Sequence, residues 1–135
     1  MRRFLTFLAA VVAGCLLAAP AAHADTGPSQ TMIFGADRRA AGERVLVDLR
    51  ATCPAGATIK VVVTVTAVNG DRIAQGTRQK KADCTGGPQP VELRVERDPA
   101  GALFRVGPAT ARTVRTVCDD TACETISFDE TIRIS

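Results

Sequence analysis

Residues 44–53 (RVLVDLRATC) and 58–70 (TIKVVVTVTAVNG) determine the fold class. Every second residue is apolar from Val45 to Cys53 in the first stretch, and again from Ile59 to Ala67 in the second. A period of two places alternate side chains on opposite faces of a strand. Both stretches therefore predict strands with one buried face and one face in solvent.

The dipeptide Asn69-Gly70 follows the second stretch and predicts a type I′ turn, because both of its residues tolerate positive φ. We expect a hairpin whose return strand covers about residues 71–77. A two-residue turn at this position would pair Val65 with Ala74.

Four more strands are predicted at residues 91–97, 103–106, 110–118 and 126–134, and the turn Asp98–Gly101 connects the first two. The third has an ambiguous phase, which predicts a bulge or an edge strand. In the last predicted strand, Glu130 falls on the same face as the apolar residues, which predicts a bulge or a barely covered end. About seven strands without a helix indicate an all-β fold, and an immunoglobulin-like antiparallel β-sandwich fits better than a barrel.

The first 24 residues have the pattern of a secretory signal peptide. Arg2 and Arg3 precede an apolar run over residues 4–17, and Ala22-His23-Ala24 forms a small-x-small cleavage site before residue 25. The predicted organisation is a signal peptide at 1–24, a flexible lead-in at 25–30 and one sandwich domain at 31–135. The mature protein is expected to be secreted from a bacterium, as a monomer.

A lipid anchor is the alternative to free secretion. The stretch from Val12 to Cys15 resembles the lipobox of bacterial lipoproteins, in which Cys15 would be acylated and hold the protein at the cell envelope. Contact with a membrane is expected only in that case.

Removal of the signal excludes much chemistry. The formal charge falls from +3 to about +1, and the only histidine, His23, is lost; the chain has no Trp and no Tyr. Without an imidazole, Ser-His-Asp and Cys-His arrangements are impossible. We therefore expect no enzyme, no catalytic residue and no cofactor.

Four cysteines remain, and in an exported domain of this size they predict two disulfides. The short polar loop between Cys118 and Cys123 brings that pair together. The strand directions take Cys53 and Cys84 to the same end of the sandwich. The competing interpretation is a zinc site, which would need free thiolates and lacks close C-x-x-C spacing.

Two charged groups are candidate sites. A cluster of acids could supply glycosidic acid–base chemistry or bind calcium, but a charged hairpin tip is favoured. A basic stretch could meet an anionic polymer or a membrane, but protection of an edge strand is favoured. No nucleic-acid partner is expected, because no aromatic residues interleave for base stacking. The acids are Asp119, Asp120, Glu124, Asp129 and Glu130, and the bases are Arg72, Arg78, Lys80 and Lys81.

Residues 93–126 resemble the C-terminal half of neocarzinostatin-type apoproteins, over about a quarter of the chain. The shared elements are an L-x-V start at Leu93, a glycine shortly before Leu103-Phe104, and a C-x4-C pair closed by Ala-Cys. The resemblance implies an immunoglobulin-like sandwich that carries a chromophore. The spacing from Cys53 to Cys84 departs from that family, whose first pair is short.

The sequence thus predicts a secreted, non-catalytic binding or envelope-associated protein, with an unknown protein or small molecule as its partner. One alternative is a carrier of an apolar small molecule, with Phe104, Phe34 and Phe128 as core anchors or lining of a cleft. Another is an inhibitor of extracellular proteases that presents residues 54–57 or 118–123.

Overall fold

The computed structural model describes residues 29–135, which form a β-sandwich of two antiparallel sheets. Alternating apolar residues along each strand meet between the sheets and form one core. A 3-10 turn, Ala40–Gly42, connects the first two strands. The strands are β1 (Gln30–Arg39), β2 (Arg44–Thr52), β3 (Thr58–Asn69), β4 (Arg72–Asp83), β5 (Gln89–Glu96), β6 (Gly107–Cys118) and β7 (Cys123–Ile134).

The smaller sheet has the order β1-β2-β5 and the larger sheet the order β4-β3-β6-β7. The chain changes sheet after β2, after β4 and after β5. The open sheet edges therefore face one another in two seams, β4 beside β5 and β1 beside β7. At one end of the second seam the backbone of Ser135 exchanges hydrogen bonds with Ala36 and Arg38, at 2.9 and 2.8 Å, which closes that end.

β1 is a strand that the sequence pattern does not predict, since residue 30 falls in the predicted lead-in and the first predicted strand begins at residue 44. The register of β1 on β2 shifts between Ile33 and Gly35. This β-bulge breaks the alternation that identifies a strand. Phe34 at the bulge is 59% exposed, so no buried apolar period is visible.

The predicted strand at residues 103–106 is wrong, since this segment is an irregular connection between β5 and β6. Phe104 is completely buried, and its backbone N–H donates to the carbonyl oxygen of Gly42 at 2.9 Å. The segment packs one aromatic anchor into the core without pairing to a neighbouring strand. Within residues 29–135 the count of seven strands is correct, because β1 takes the place of the predicted strand at 103–106.

The β3–β4 hairpin is confirmed, but its register and length differ from the prediction. Val65 pairs with Gly76 rather than Ala74, because Asn69 is itself paired with Arg72 and the loop is Gly70-Asp71. Only Gly70 in this loop has a positive φ, +67°. β4 continues to residue 83, beyond the predicted end at about residue 77, through a polar stretch whose composition resembles that of a loop.

β6 is a continuous interior strand paired to β3 on one side and β7 on the other, so the predicted bulge or edge is wrong. Its inward face includes Thr113 and Arg115, which are 1% and 3% exposed. Two buried polar residues disrupt the apolar alternation and explain the ambiguous phase.

β7 pairs with β6 without a shift, so the bulge expected near Glu130 is absent. β7 is an edge strand of its sheet, and this open edge, rather than a strand end, accommodates the charge. Glu130 faces inward opposite Ala111, where the seam beside β1 leaves it half-buried. Burial raises the pKa of its carboxyl group, and a hydrogen bond from the backbone of Ile33 partly offsets this.

The predicted signal peptide, Cys15 and most of the lead-in lie outside the described residues. Within residues 29–135, no helix is long and apolar enough to cross a membrane.

Candidate functional site

Both disulfides lie at one end of the sandwich, called here the disulfide end. They join Cys53 to Cys84 and Cys118 to Cys123, with Cα–Cα distances of 5.4 and 4.1 Å, which confirms the predicted pairing. Thr58, the first residue of β3, is paired with Cys118 on one side and with residue 83 on the other. Cys53 follows β2 of the smaller sheet and Cys84 follows β4 of the larger one, so their disulfide ties the ends of the two sheets together where three loops emerge.

The three loops cover residues 53–57, 84–88 and 118–123, and the first two contact each other. The backbone N–H of Cys84 donates to the carbonyl oxygen of Ala57 at 2.9 Å. Gly86 passes so close to Ala55 that a Cβ at residue 86 would lie 3.2 Å from the Ala55 Cβ. The Cys53–Cys84 bond and this contact make the two loops one unit.

The third loop is the tip of the β6–β7 hairpin, and the side chain of Asp119 orders it. Its Oδ1 accepts hydrogen bonds from the backbone N–H groups of Thr121 and Ala122 and from the Thr121 hydroxyl, each at 2.8 Å. The two backbone donors, first Thr121 and then Ala122, lower the pKa of the Asp119 carboxyl group. The hairpin tip is therefore exposed but braced by its own hydrogen bonds and by the Cys118–Cys123 disulfide.

A depression of about 440 Å³ separates the loop at 53–57 from the β6–β7 hairpin. Small residues line one side and the acidic hairpin the other, so the site can admit a side chain or a chain segment. Its rim is acidic, because Asp119, Asp120 and Glu124 contribute to it and residues 118–124 contain no Lys or Arg.

The predicted acidic group is not gathered into a site. Asp129 points outward from β7, with its Oδ2 atom 3.7 Å from Arg112 Nη1, while Glu130 faces the seam. Only Asp119, Asp120 and Glu124 share the depression. Among residues 29–135 there is no group of three or more His, Cys, Asp or Glu side chains that could hold a metal ion.

The three phenylalanines do not line a common cleft. Phe104 is a core residue with no exposed surface, and Phe34 lies on the outer face of the small sheet, with the Arg50 guanidinium 5.5 Å from its ring centroid. Phe128 is half-buried on β7. None of them lines the depression at the disulfide end.

The basic stretch lies within the edge strand β4, but its side chains have different neighbours. Arg72 lies at the far end and donates to the carbonyl oxygen of Ala100 at 3.1 Å. Lys80 reaches across the seam to the carbonyl oxygen of Glu92 at 3.3 Å. Lys81 lies directly opposite Lys60 of β3. The sequence pattern does not single out Lys60, because only the strand register brings it beside Lys81.

No protein-family model matches this chain, and a search of the curated proteins finds no significant match.

Proposed function

We propose that this chain is an exported, non-catalytic binding protein of immunoglobulin-like type, and that it contacts its partner with the loops of the disulfide end. The observation that carries the proposal is the convergence of three loops from separate strand connections on one end that two disulfides brace. Loops presented by a rigid scaffold are a common location for binding residues. A preorganised surface also loses less conformational entropy when it binds.

The strand arrangement supports the immunoglobulin-like type. Seven strands form sheets of three and four, and consecutive strands cross between the sheets, as in sandwiches of this class. The fourth strand, β4, joins the sheet of β3, β6 and β7. The two disulfides and the features of residues 1–24 support export to an oxidising compartment.

Site-specific photo-crosslinking tests the binding surface. A benzoyl-phenylalanine is placed at Thr121 or Thr85 in the disulfide end, or at Asp71 in the hairpin at the opposite end as a matched exposed control. The secreted protein is then irradiated on intact cells of the producing organism. We expect discrete adducts from positions 121 and 85 and none from position 71. Equal labelling at both ends, or no adduct from the disulfide end, would contradict the proposal, as would turnover on a hydrolase panel.

Protease inhibition is the second candidate, and the rigid tip at residues 119–122 favours it. The disulfide and the Asp119 hydrogen bonds hold this exposed segment much as an inhibitor loop must be held to resist cleavage. The test is inhibition of a panel of secreted proteases by the wild-type protein and by Asp119→Ala, which loses the ordering acceptor. Inhibition that weakens in the variant supports this candidate, and an inactive wild-type protein eliminates it.

A further inference from the structure

A second surface of the sandwich carries an uncompensated positive charge. We call it the cationic corner and define it as Lys60 on β3 with Arg78, Lys80 and Lys81 on β4. Lys60 and Lys81 are directly opposite each other in the strand register and both face solvent on the outer side of the large sheet. Like charges placed opposite one another across two strands destabilise a sheet. The Lys60–Lys81 pair therefore lowers the stability of the sheet, and the fold alone does not explain why both residues are lysines.

The charges of the corner are poorly neutralised within the described part of the chain. In that part Lys60, Arg78 and Lys81 form no ion pair with a carboxylate. Lys80 donates to a backbone carbonyl oxygen, which carries no net charge. The one ion pair beside them joins Arg94 Nε and Glu92 Oε1 at 3.7 Å and uses a fifth cation. The corner therefore presents to solvent positive charges that no carboxylate of residues 29–135 pairs with, and an anionic ligand could bind them.

The corner also has room for an extended ligand. A groove of about 410 Å³ runs along the seam between the edges of β4 and β5, lined by Arg78, Gln79, Lys80, Glu92, Leu93 and Arg94. Arg78 and Lys80 face this groove, whereas Lys81 and Lys60 lie around the edge of β4 on the outer face. A flexible polyanion could contact both sets by passing over the strand edge.

The composition of the corner distinguishes among polyanions. It has no aromatic side chain on which a base could stack, which disfavours single-stranded nucleic acid. The large hydrophobic side chains that are exposed in residues 29–135 lie elsewhere, so the corner lacks the apolar contacts that strengthen membrane docking. Those side chains are Met32, Phe34, Val68, Ile73, Leu103 and Val106.

We propose that the cationic corner binds an acidic polysaccharide, whose carboxylate or phosphate groups lie against Lys60, Lys81 and Arg78. This inference is independent of the proposed function, because it concerns a different surface. Lysines on an edge strand also discourage sheet-to-sheet pairing. That role accounts for Lys80 and Arg78 at the seam, but it does not require Lys60, which belongs to an interior strand.

The test measures retention of the secreted protein on immobilised polygalacturonate, which carries carboxylates, and on phosphomannan, which carries phosphodiesters. Double-stranded DNA and phosphatidylglycerol vesicles serve as competing polyanions. The ionic strength is about 0.01 M, where the Debye length is about 30 Å. The variants are Lys60→Gln/Lys81→Gln and Arg78→Gln. The matched control is Arg105→Gln/Arg133→Gln, which removes two exposed charges far from the corner.

We expect one of the two polysaccharides to retain the wild-type protein and so identify the acidic group. Lys60→Gln/Lys81→Gln should weaken binding about tenfold and flatten its salt dependence, because a surface with fewer cations displaces fewer counterions from the polyanion. Arg78→Gln should weaken it less, and the control should change it less than about twofold. Four results would overturn the proposal: no retention of the wild type, equal weakening in the control, equal or tighter binding to DNA or vesicles, or self-association of the lysine variant, seen by light scattering, with unchanged affinity.

Discussion

The backbone of Gly76 on β4 lies directly against the carbonyl group of Glu96 at the end of β5. A Cβ on residue 76 would overlap that carbonyl oxygen and come within 3.0 Å of Cγ1 of Val95. The backbone N–H of Asp98 donates to the carbonyl oxygen of Gln75 at 2.7 Å and holds the two segments together. The sheets thus meet edge to edge at a position that has no space for a side chain.

Gly76→Ala should therefore destabilise the protein. The new methyl group meets backbone atoms, which cannot rotate away, so we expect a loss of about 2–3 kcal/mol in the free energy of unfolding, at the upper part of the range for overpacking. Urea unfolding of the oxidised protein measures this loss. Gly87→Ala is the control, because nothing lies within 4 Å of the Cβ position and no positive φ is needed there. An unchanged urea midpoint for Gly76→Ala would contradict this prediction, because it would show that β4 and β5 can move apart without loss of stability.

The two disulfides should differ in their contribution to stability. Cys53 and Cys84 are 31 residues apart, and Cys118 and Cys123 are 5 apart. On the chain-entropy model these loops correspond to about 4 and about 2 kcal/mol. We expect Cys53→Ala/Cys84→Ala to lose the larger amount in denaturant unfolding. Cys53 is also 1% exposed, so loss of its packing adds to the difference. Equal losses would contradict the chain-entropy account.

Arg97 organises the connection between β5 and β6, and Arg97→Lys should be costly. Its guanidinium forms two contacts with the Glu43 carboxylate, Nε–Oε2 at 2.8 Å and Nη2–Oε1 at 3.2 Å. Its Nη1 also donates to the carbonyl oxygens of Asp98, Pro99 and Gly101. A lysine keeps the charge but cannot reproduce this fork.

We expect Arg97→Lys to lower the free energy of unfolding by about 1.5–3 kcal/mol, the range for hydrogen bonds to charged groups. The control is Arg112→Lys, whose ion pair with Asp129 is exposed and 3.7 Å long, and it should change stability by less than about 0.5 kcal/mol. Equal effects of the two substitutions would show that charge alone matters at residue 97.

Glu130→Gln should stabilise the protein at neutral pH and not at acidic pH. Burial raises the pKa of this carboxyl group in the folded state, so the folded protein binds the proton more tightly than the unfolded chain. Wild-type stability therefore falls as the pH rises from the unfolded value, about 4.3, through the raised folded pKa. Glutamine removes this dependence.

Thermal unfolding of wild type and Glu130→Gln at pH 3 and pH 7 measures the effect. The two proteins should unfold at similar temperatures at pH 3, and the variant at a higher temperature at pH 7. A difference that is the same at both pH values would mean that packing of the amide, and not ionisation of residue 130, is responsible.

The strands with clean alternation were predictable from sequence, since β2 and β3 begin at the expected residues and bury the expected faces. Failures occur where the local signal is interrupted. A bulge hides β1, and buried Thr113 and Arg115 obscure the phase of β6. The segment around Phe104 resembles a strand in sequence because one buried aromatic residue in an irregular connection gives the same local pattern.

The candidate site was predictable only in part. The cysteine pairing followed from chain direction and a short loop, so the braced end could be anticipated. The contact between the loops at 53–57 and 84–88, and the depression beside the hairpin, arise from residues distant in sequence. The Lys60–Lys81 pair depends on a hairpin register that the turn residues alone predicted incorrectly.

The all-β class, the buried face of the most regular strands and the two disulfides follow from the amino-acid sequence, because alternation, turn residues and short loop closure are local properties of the chain. The three-dimensional fold is needed to establish which strands share a sheet, which edges form the seams and which charges face each other. Strand pairing and charge placement depend on pairing and packing free energies between segments far apart in sequence, so a local sequence pattern does not determine them.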